Sequence, residues 1–170
     1  ASLPYGRLKH LFSFLLGAFL LQFAIGAQWV HHLLASSLAY LMLLLLPRSL
    51  SKRLVPLMIV AYVTLGHLHR QYVNYLGWDL DFTGPHMVLT IKLYSLAWNL
   101  WDGEVLAKGN PGRNRATEKC GQFALREMPS LLEFMGYTFC FSNVLAGPSY
   151  EFSTVSGAER ERSEHKEEVR

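Results

Sequence analysis

The chain has 170 residues, room for one domain of ordinary size. Hydrophobic residues make up 51% of it and charged residues 17%, against about a quarter charged in a soluble domain, which excludes a disordered chain. A net charge of +3 without a basic stripe argues against a nucleic-acid partner, and two cysteines are too few to staple a domain of this size.

Charge is concentrated in short blocks. Lys9 and Arg48 bracket 38 residues that carry none. As helix this run would be about 57 Å long, and a bilayer core is about 30 Å thick, so the length fits two crossings rather than one. The only polar cluster inside it is 28–32, which places one span at about 11–29 and a second at about 33–47. A signal peptide is a poor reading, because its apolar core should be only about 7–15 residues and further apolar segments follow. The chain opens at Ala1 rather than methionine, so its first residue is read as internal to a longer native sequence.

Three more apolar runs follow. Residues 54–68 contain Pro56 and Gly66, 87–101 hold a single charge at Lys92, and 128–148 hold a single charge at Glu133. Each is close to the length of a membrane crossing, and the fourth and fifth fit equally well as half-buried helices of a larger bundle rather than lipid-facing spans. The pattern predicts an all-α, polytopic membrane helix bundle of about five hydrophobic segments. The last residues, with five glutamates and four basic residues over 157–170, read as a charged, disordered C-terminal tail.

Basic residues set the orientation. Two crossings return the chain to its starting side, so Arg7 and Lys9 share a side with Arg48, Lys52 and Arg53. Two further crossings bring Lys108, Arg113, Arg115, Lys119 and Arg126 to the same side, which the positive-inside rule makes cytosolic. The 69–86 loop, with Asp79 and Asp81 against Arg70, lies opposite, and a fifth crossing would carry the 149–170 tail there too.

Lys92 and Glu133 stand out because a charge at the bilayer centre costs about 2.5–3.5 kcal/mol. Either they pair with each other or line a polar tunnel, or their side chains snorkel to the interface. Asn99, Asp102 and Gly103 end the fourth segment, where Asp-Gly reads as a turn with glycine at positive φ and Trp98 and Trp101 as interface anchors. His67 and His69, like His31 and His32, are spaced to point to different helix faces, and Asp79, Asp81 and His86 add no ligand spacing, so no metal site is assigned. Cys120 and Cys140 read as free thiols, and Glu151, between Ser149 and Ser153, as too generic for a catalytic role.

From Asp81 to Phe152 several motifs occur in order: Thr83-Gly84, then Met87-Val88-Leu89-Thr90, Lys92 and Ser95; Asp102-Gly103 after Trp101; the run from Met128 to Tyr137; and Ala146-Gly147-Pro148 before Tyr150. This block resembles the membrane-bound O-acyltransferase family, in its lysophospholipid acyltransferase branch. The resemblance implies a curved bundle of membrane helices around a tunnel, in the endoplasmic reticulum. It implies transfer of an acyl chain from acyl-CoA, as co-substrate with no cofactor, to the hydroxyl of a lysophospholipid. The family's chemistry is credited to a histidine in a Trp-His-x-x-x-Pro-Gly-like segment with an upstream asparagine. This chain has no Trp-His pair, so no catalytic residue is carried over. Lys92, Asn99, Asp102 and Glu133 match family positions and are the substrate-tunnel candidates.

Residues 1–154 are therefore expected to be the N-terminal part of an acyltransferase domain, a third to 40% of the whole, with 155–170 a separate tail. The expected activity belongs to the parent protein, and this chain alone is expected to be inactive. The alternative is a non-catalytic short membrane protein or isoform that modulates the full-length enzyme. A small transporter or channel would call for more intramembrane charges than these two.

Overall fold

The computed structural model describes residues 5–73, 75, 77, 80–108, 123–145, 147 and 149–152. Asp79, the loop residues Arg113, Arg115, Lys119 and Cys120, and the 155–170 tail lie outside the described residues. The described secondary structure is all helical, as expected: α1 (Tyr5–Ile25), a 3-10 turn (Gly26–Gln28), α2 (Trp29–Leu45), α3 (Arg48–Val73), α4 (Thr83–Ala107) and α5 (Leu131–Thr138).

Two stretches are long and apolar enough to cross a membrane, Leu8–Leu45 and Arg48–Val73. The first is not a single rod. An unbroken helix would set His10 and Tyr40 about 45 Å apart. Instead Gly136 packs on the His10 backbone, and the Tyr40 ring lies 5.0 Å from that of Phe134, two residues away. The chain doubles back, as two spans require. The break is at Gly26, whose φ of +60° suits glycine, and not at the polar cluster 28–32. A left-handed glycine redirects the backbone, whereas His32 is simply buried within α2.

Apolar side chains face outwards and polar ones inwards. On α1, Leu8, Phe12, Leu15, Phe19 and Phe23 recur at helical spacing and are exposed, Phe23 to 85%. On α2, Val30, Leu34, Leu38, Leu41 and Leu45 make a similar stripe. Meanwhile His32, Ser36, Ser51, His86, Lys92 and Asn99 are buried. Lipid-facing stripes around a partly polar interior are what a bilayer solvent selects.

The third and fourth segments lie within α3 and α4, which run antiparallel. The Arg48 guanidinium at the start of α3 donates to Leu100 O (3.2 Å) and Arg126 O (2.9 Å) near the end of α4. At the other end Arg70 pairs with Asp81 at 3.2 Å. Lys52 lies over the Trp101 ring, 2.9 Å from its centroid, so the tryptophan anchors sit at the basic end. Arg48, Lys52 and Arg126 thus share one end of the bundle, as the charge pattern requires.

Two expectations change. Asp102-Gly103 is not a turn, because α4 continues through it to Ala107. Gly103 serves close approach: a Cβ there would lie 2.0 Å from Leu125 O. The fifth segment does not form a membrane-length helix. α5 has 8 residues, about 12 Å. It begins at the basic end, where Leu125 N donates to Asn99 O (2.9 Å) and the Tyr40 hydroxyl to Pro129 O (3.3 Å). It stops beside Lys92, turns through 139–145, and returns so that Tyr150 O accepts from the Tyr137 hydroxyl (2.7 Å) and Glu151 meets Asn99. Residues 128–152 thus form a re-entrant hairpin, and 149–152 lie in the basic half of the bundle rather than on the far side. Backbone that breaks off at membrane depth is tolerated only inside protein. Accordingly α1 presents Gly17 to the Phe139 carbonyl, where a Cβ would be 1.7 Å from the oxygen.

The hairpin fixes a sidedness. In whole protein whose Cys120 and Cys140 are replaced by serine, Glu127→Cys and Tyr150→Cys are expected to react with an impermeant maleimide from the same face of sealed vesicles. Leu80→Cys is expected to react from the other face. Labelling of Tyr150→Cys with Leu80→Cys would restore a full crossing.

Candidate functional site: the polar face of α4

Lys92, Ser95, Asn99 and Asp102 follow each other at three- and four-residue steps, which puts them on one face of a helix. In α4 that face meets the re-entrant hairpin.

Lys92 is 1% exposed. Its Nζ donates to Asn143 Oδ1 (2.6 Å), Tyr137 O (2.9 Å) and Thr138 O (3.4 Å), and lies 5.2 Å from the Tyr137 ring centroid. An ammonium has three donors, and each finds an acceptor. Two of these are carbonyls at the end of α5, where a helix leaves its last C=O groups without partners and its dipole favours a cation. His32 Nε2 lies 3.3 Å from Thr138 O as a further donor. The Ser13 hydroxyl donates to Gly136 O (3.1 Å). Three other helices therefore supply donors to the end of this short one.

Lys92 neither snorkels nor pairs with Glu133. Glu133 closes a capping box at the start of α5: Ser130 N donates to Glu133 Oε2 (2.9 Å) and Glu133 N to Ser130 Oγ (3.4 Å). Its charge faces the positive end of α5 while that of Lys92 faces the negative end, so the two serve one helix without touching.

Asn99 is also buried. Its Nδ2 donates to Glu151 Oε2 (2.6 Å) and contacts Ser95 Oγ (3.4 Å), and the Ser95 hydroxyl donates to the same carboxylate oxygen. Asp102, half-buried, follows on that face at the next turn. Glu151 is the participant that sequence reasoning missed. The signal was the Ser95 hydroxyl in register with Lys92 and Asn99, which marks a polar seam in want of a partner.

Beside the Lys92 contacts, a cavity of about 120 Å³ opens between α1 and the hairpin, lined by Lys9, Ser13, Tyr137, Cys140, Asn143 and Tyr150 among others. Cys140 is a free thiol, 3.3 Å from the Ser142 hydroxyl. A second buried group lies towards the other end of α4. His86 Nδ1 donates to Phe82 O (3.0 Å), its ring stacks on Tyr62 at 5.3 Å, and it meets His32 edge-on at 5.5 Å. The adjacent His31 reaches the hydroxyl of the same Tyr62 at 2.7 Å. Among the described residues no three His, Cys, Asp or Glu side chains form a group that could hold a metal ion.

The Asn99–Glu151 contact can be tested by exchanging its polarity. Asn99→Asp sets two carboxylates against each other and is expected to destabilise the purified protein by about 1–3 kcal/mol, the scale of a buried group left unsatisfied. Adding Glu151→Gln restores one donor and one acceptor and is expected to recover most of the loss in thermal unfolding in detergent. Equal stability of the single and double variants would mean that the two side chains do not meet.

Residues 68–168 match the sequence profile of MBOAT, the membrane-bound O-acyltransferase family. The match takes in α4, the whole hairpin and most of the 155–170 tail. Curated relatives cover more of the chain. It is 33% identical over 142 residues to lysophospholipid acyltransferase 6 of Drosophila melanogaster, covering 84% of this chain and 19% of that protein. It is 32% identical over 147 residues to lysophospholipid acyltransferase 5 of Homo sapiens, covering 86% of this chain and 28% of that protein. It is 30% identical over 142 residues to membrane-bound glycerophospholipid O-acyltransferase 2 of Gallus gallus, covering 83% of this chain and 26% of that protein. The chain thus spans between 19% and 28% of the length of these relatives. The profile covers more than half of the residues, among them Lys92, Ser95 and Asn99 and their partners in the hairpin, and the chain belongs to the membrane-bound O-acyltransferase family.

Proposed function

We propose that this chain is part of a lysophospholipid acyltransferase of the endoplasmic reticulum membrane, which moves an acyl chain from acyl-CoA to the free hydroxyl of a lysophospholipid. The observation that carries this reading is the similarity to proteins named lysophospholipid acyltransferases over 83–86% of the chain. The polar face of α4 supports it, because acyl transfer inside a bilayer needs a polar wall within an apolar bundle.

In this reading Lys92, Asn99 and Asp102 hold the wall of a substrate tunnel, with Ser95 and Glu151 added to them. Glu133 acts at one remove, by fixing the start of α5. Lys92 serves as a positioning residue, since its donors are taken up by the hairpin. The general base is a histidine outside this chain. Near neutral pKa it takes the hydroxyl proton as that oxygen attacks the thioester carbonyl, and returns it to the CoA thiolate as the carbon–sulfur bond breaks, while a water-poor site keeps hydrolysis from competing. The alternative is that the 170-residue chain is a non-catalytic membrane protein that modulates the full-length enzyme.

Membranes from cells making the whole protein are expected to esterify an added lysophospholipid with radiolabelled acyl-CoA, and membranes with the 170-residue chain alone to match the empty-vector control. Asn99→Leu in the whole protein is expected to lower kcat more than it raises KM. Absence of acyl transfer by the whole protein would remove the enzyme reading. A change in endogenous acyl transfer when only the short chain is present would favour the modulator.

A further inference from the structure

Glu151 reaches α4 on backbone without regular structure, since residues 149–151 are neither helix nor strand. Among the described residues, the one hydrogen bond to their backbone is that of the Tyr137 hydroxyl to Tyr150 O (2.7 Å). The Tyr150 side chain does not anchor the segment, being 42% exposed. On the other side of Glu151, Phe152 is buried, and its ring meets that of Tyr137 edge-on at 5.3 Å. Tyr137 thus grips both chain neighbours of Glu151, one by a hydrogen bond and the other by ring packing. We propose that Tyr137 is a positioning residue for acyl transfer, which sets the Glu151 carboxylate against Asn99 and Ser95.

Tyr137 is itself firmly placed. It lies in the last turn of α5 and is 4% exposed. Its carbonyl accepts from Lys92 Nζ (2.9 Å), and the same ammonium lies 5.2 Å from its ring centroid. A buried phenol needs a partner for its hydroxyl, and Tyr150 O is that partner. The contacts close a circuit. Lys92 holds Tyr137, Tyr137 holds the flanks of Glu151, and Glu151 returns to α4 at Asn99 (2.6 Å) and Ser95. Lys92 and Asn99 are about 10 Å apart along α4, and Tyr137 links the two contacts on the hairpin side.

Without the Tyr137 hydroxyl, Glu151 would be placed by its own side-chain contacts and by Phe152. Acyl transfer is sensitive to such a loss, because a displacement of about 1 Å in a reacting site can cost about a hundredfold in rate. The role of Tyr137 in the reaction rests on the proposed function, whereas the contacts themselves do not.

The test is made on the whole protein. Tyr137→Phe removes the hydroxyl and keeps the ring. It is expected to lower kcat for acyl transfer about tenfold, the scale of one buried hydrogen bond, with KM changed less than about twofold. In a Glu151→Ala background the same substitution is expected to lower kcat by no more than about twofold further. Phe152→Leu, which loosens the other neighbour, is expected to follow the same pattern. A tyrosine that only stabilised the fold would lower activity by the same factor with and without Glu151, and that result overturns the proposal. Should Glu151→Ala be too slow to assay, Tyr137→Phe and Glu151→Ala are combined in reversible denaturation in mixed micelles. Non-additive losses are expected there, and strictly additive ones overturn the proposal. Non-additive losses in a wild type without acyl transfer would remove the proposed function and leave the geometry. Normal acyl transfer with additive losses would do the reverse.

Discussion

A helix that stops half-way through a bilayer has carbonyl groups with no water to receive them. In this protein the Lys92 ammonium meets that need, bonding the last carbonyls of α5 and the Asn143 amide oxygen of the following turn. The charge and the broken helix are each unfavourable in hydrocarbon, and each removes the other's cost. Burial of a charge at about 2.5–3.5 kcal/mol is offset by charge-assisted hydrogen bonds worth about 1.5–3 kcal/mol each. No carboxylate is required. The arrangement explains why a lysine and a glutamate that both fall within apolar runs occur in one chain without forming a pair.

The rest of the bundle is arranged around that hairpin. Gly17 of α1 gives up its side chain so that the Phe139 carbonyl can approach, and Gly136 does the same towards His10. His32 and Ser13 reach in from α2 and α1 with further hydrogen bonds. The returning segment then brings Glu151 to Ser95 and Asn99, so one face of α4 carries two polar contacts about two helical turns apart. The Asn99 end of this polar wall lies towards the end of the bundle that carries Arg48, Lys52 and Arg126. A lateral apolar surface surrounds it.

Much of this was legible in the sequence. The uncharged run between Lys9 and Arg48 had only one use for its length, and the basic blocks agreed on a side. Lys92 and Asn99 were visible as polar residues in apolar surroundings. The misreadings share a cause: short-range patterns were settled by long-range packing. Asp102-Gly103 looks like a turn, yet glycine there admits the Leu125 carbonyl to a continuous helix. Residues 128–148 have the composition of a crossing, but a Ser130–Glu133 capping box starts the helix and Lys92 receives its early end. Glu151 lies 52 residues from Asn99 in an unremarkable context, and only the fold brings them together. Polarity marks 28–32, yet the chain breaks at Gly26, where the left-handed backbone suits glycine.

The central claim is that Lys92 holds the hairpin through its own hydrogen bonds, and a double-mutant cycle tests it most directly. Lys92→Met, Asn143→Leu and the pair would be compared by reversible denaturation of the whole protein in mixed micelles. Coupling of about 1.5 kcal/mol or more between the two sites is the expected result, as for a buried hydrogen bond to a charged group. Strictly additive losses would contradict the account, and the hairpin would then owe its place to packing alone.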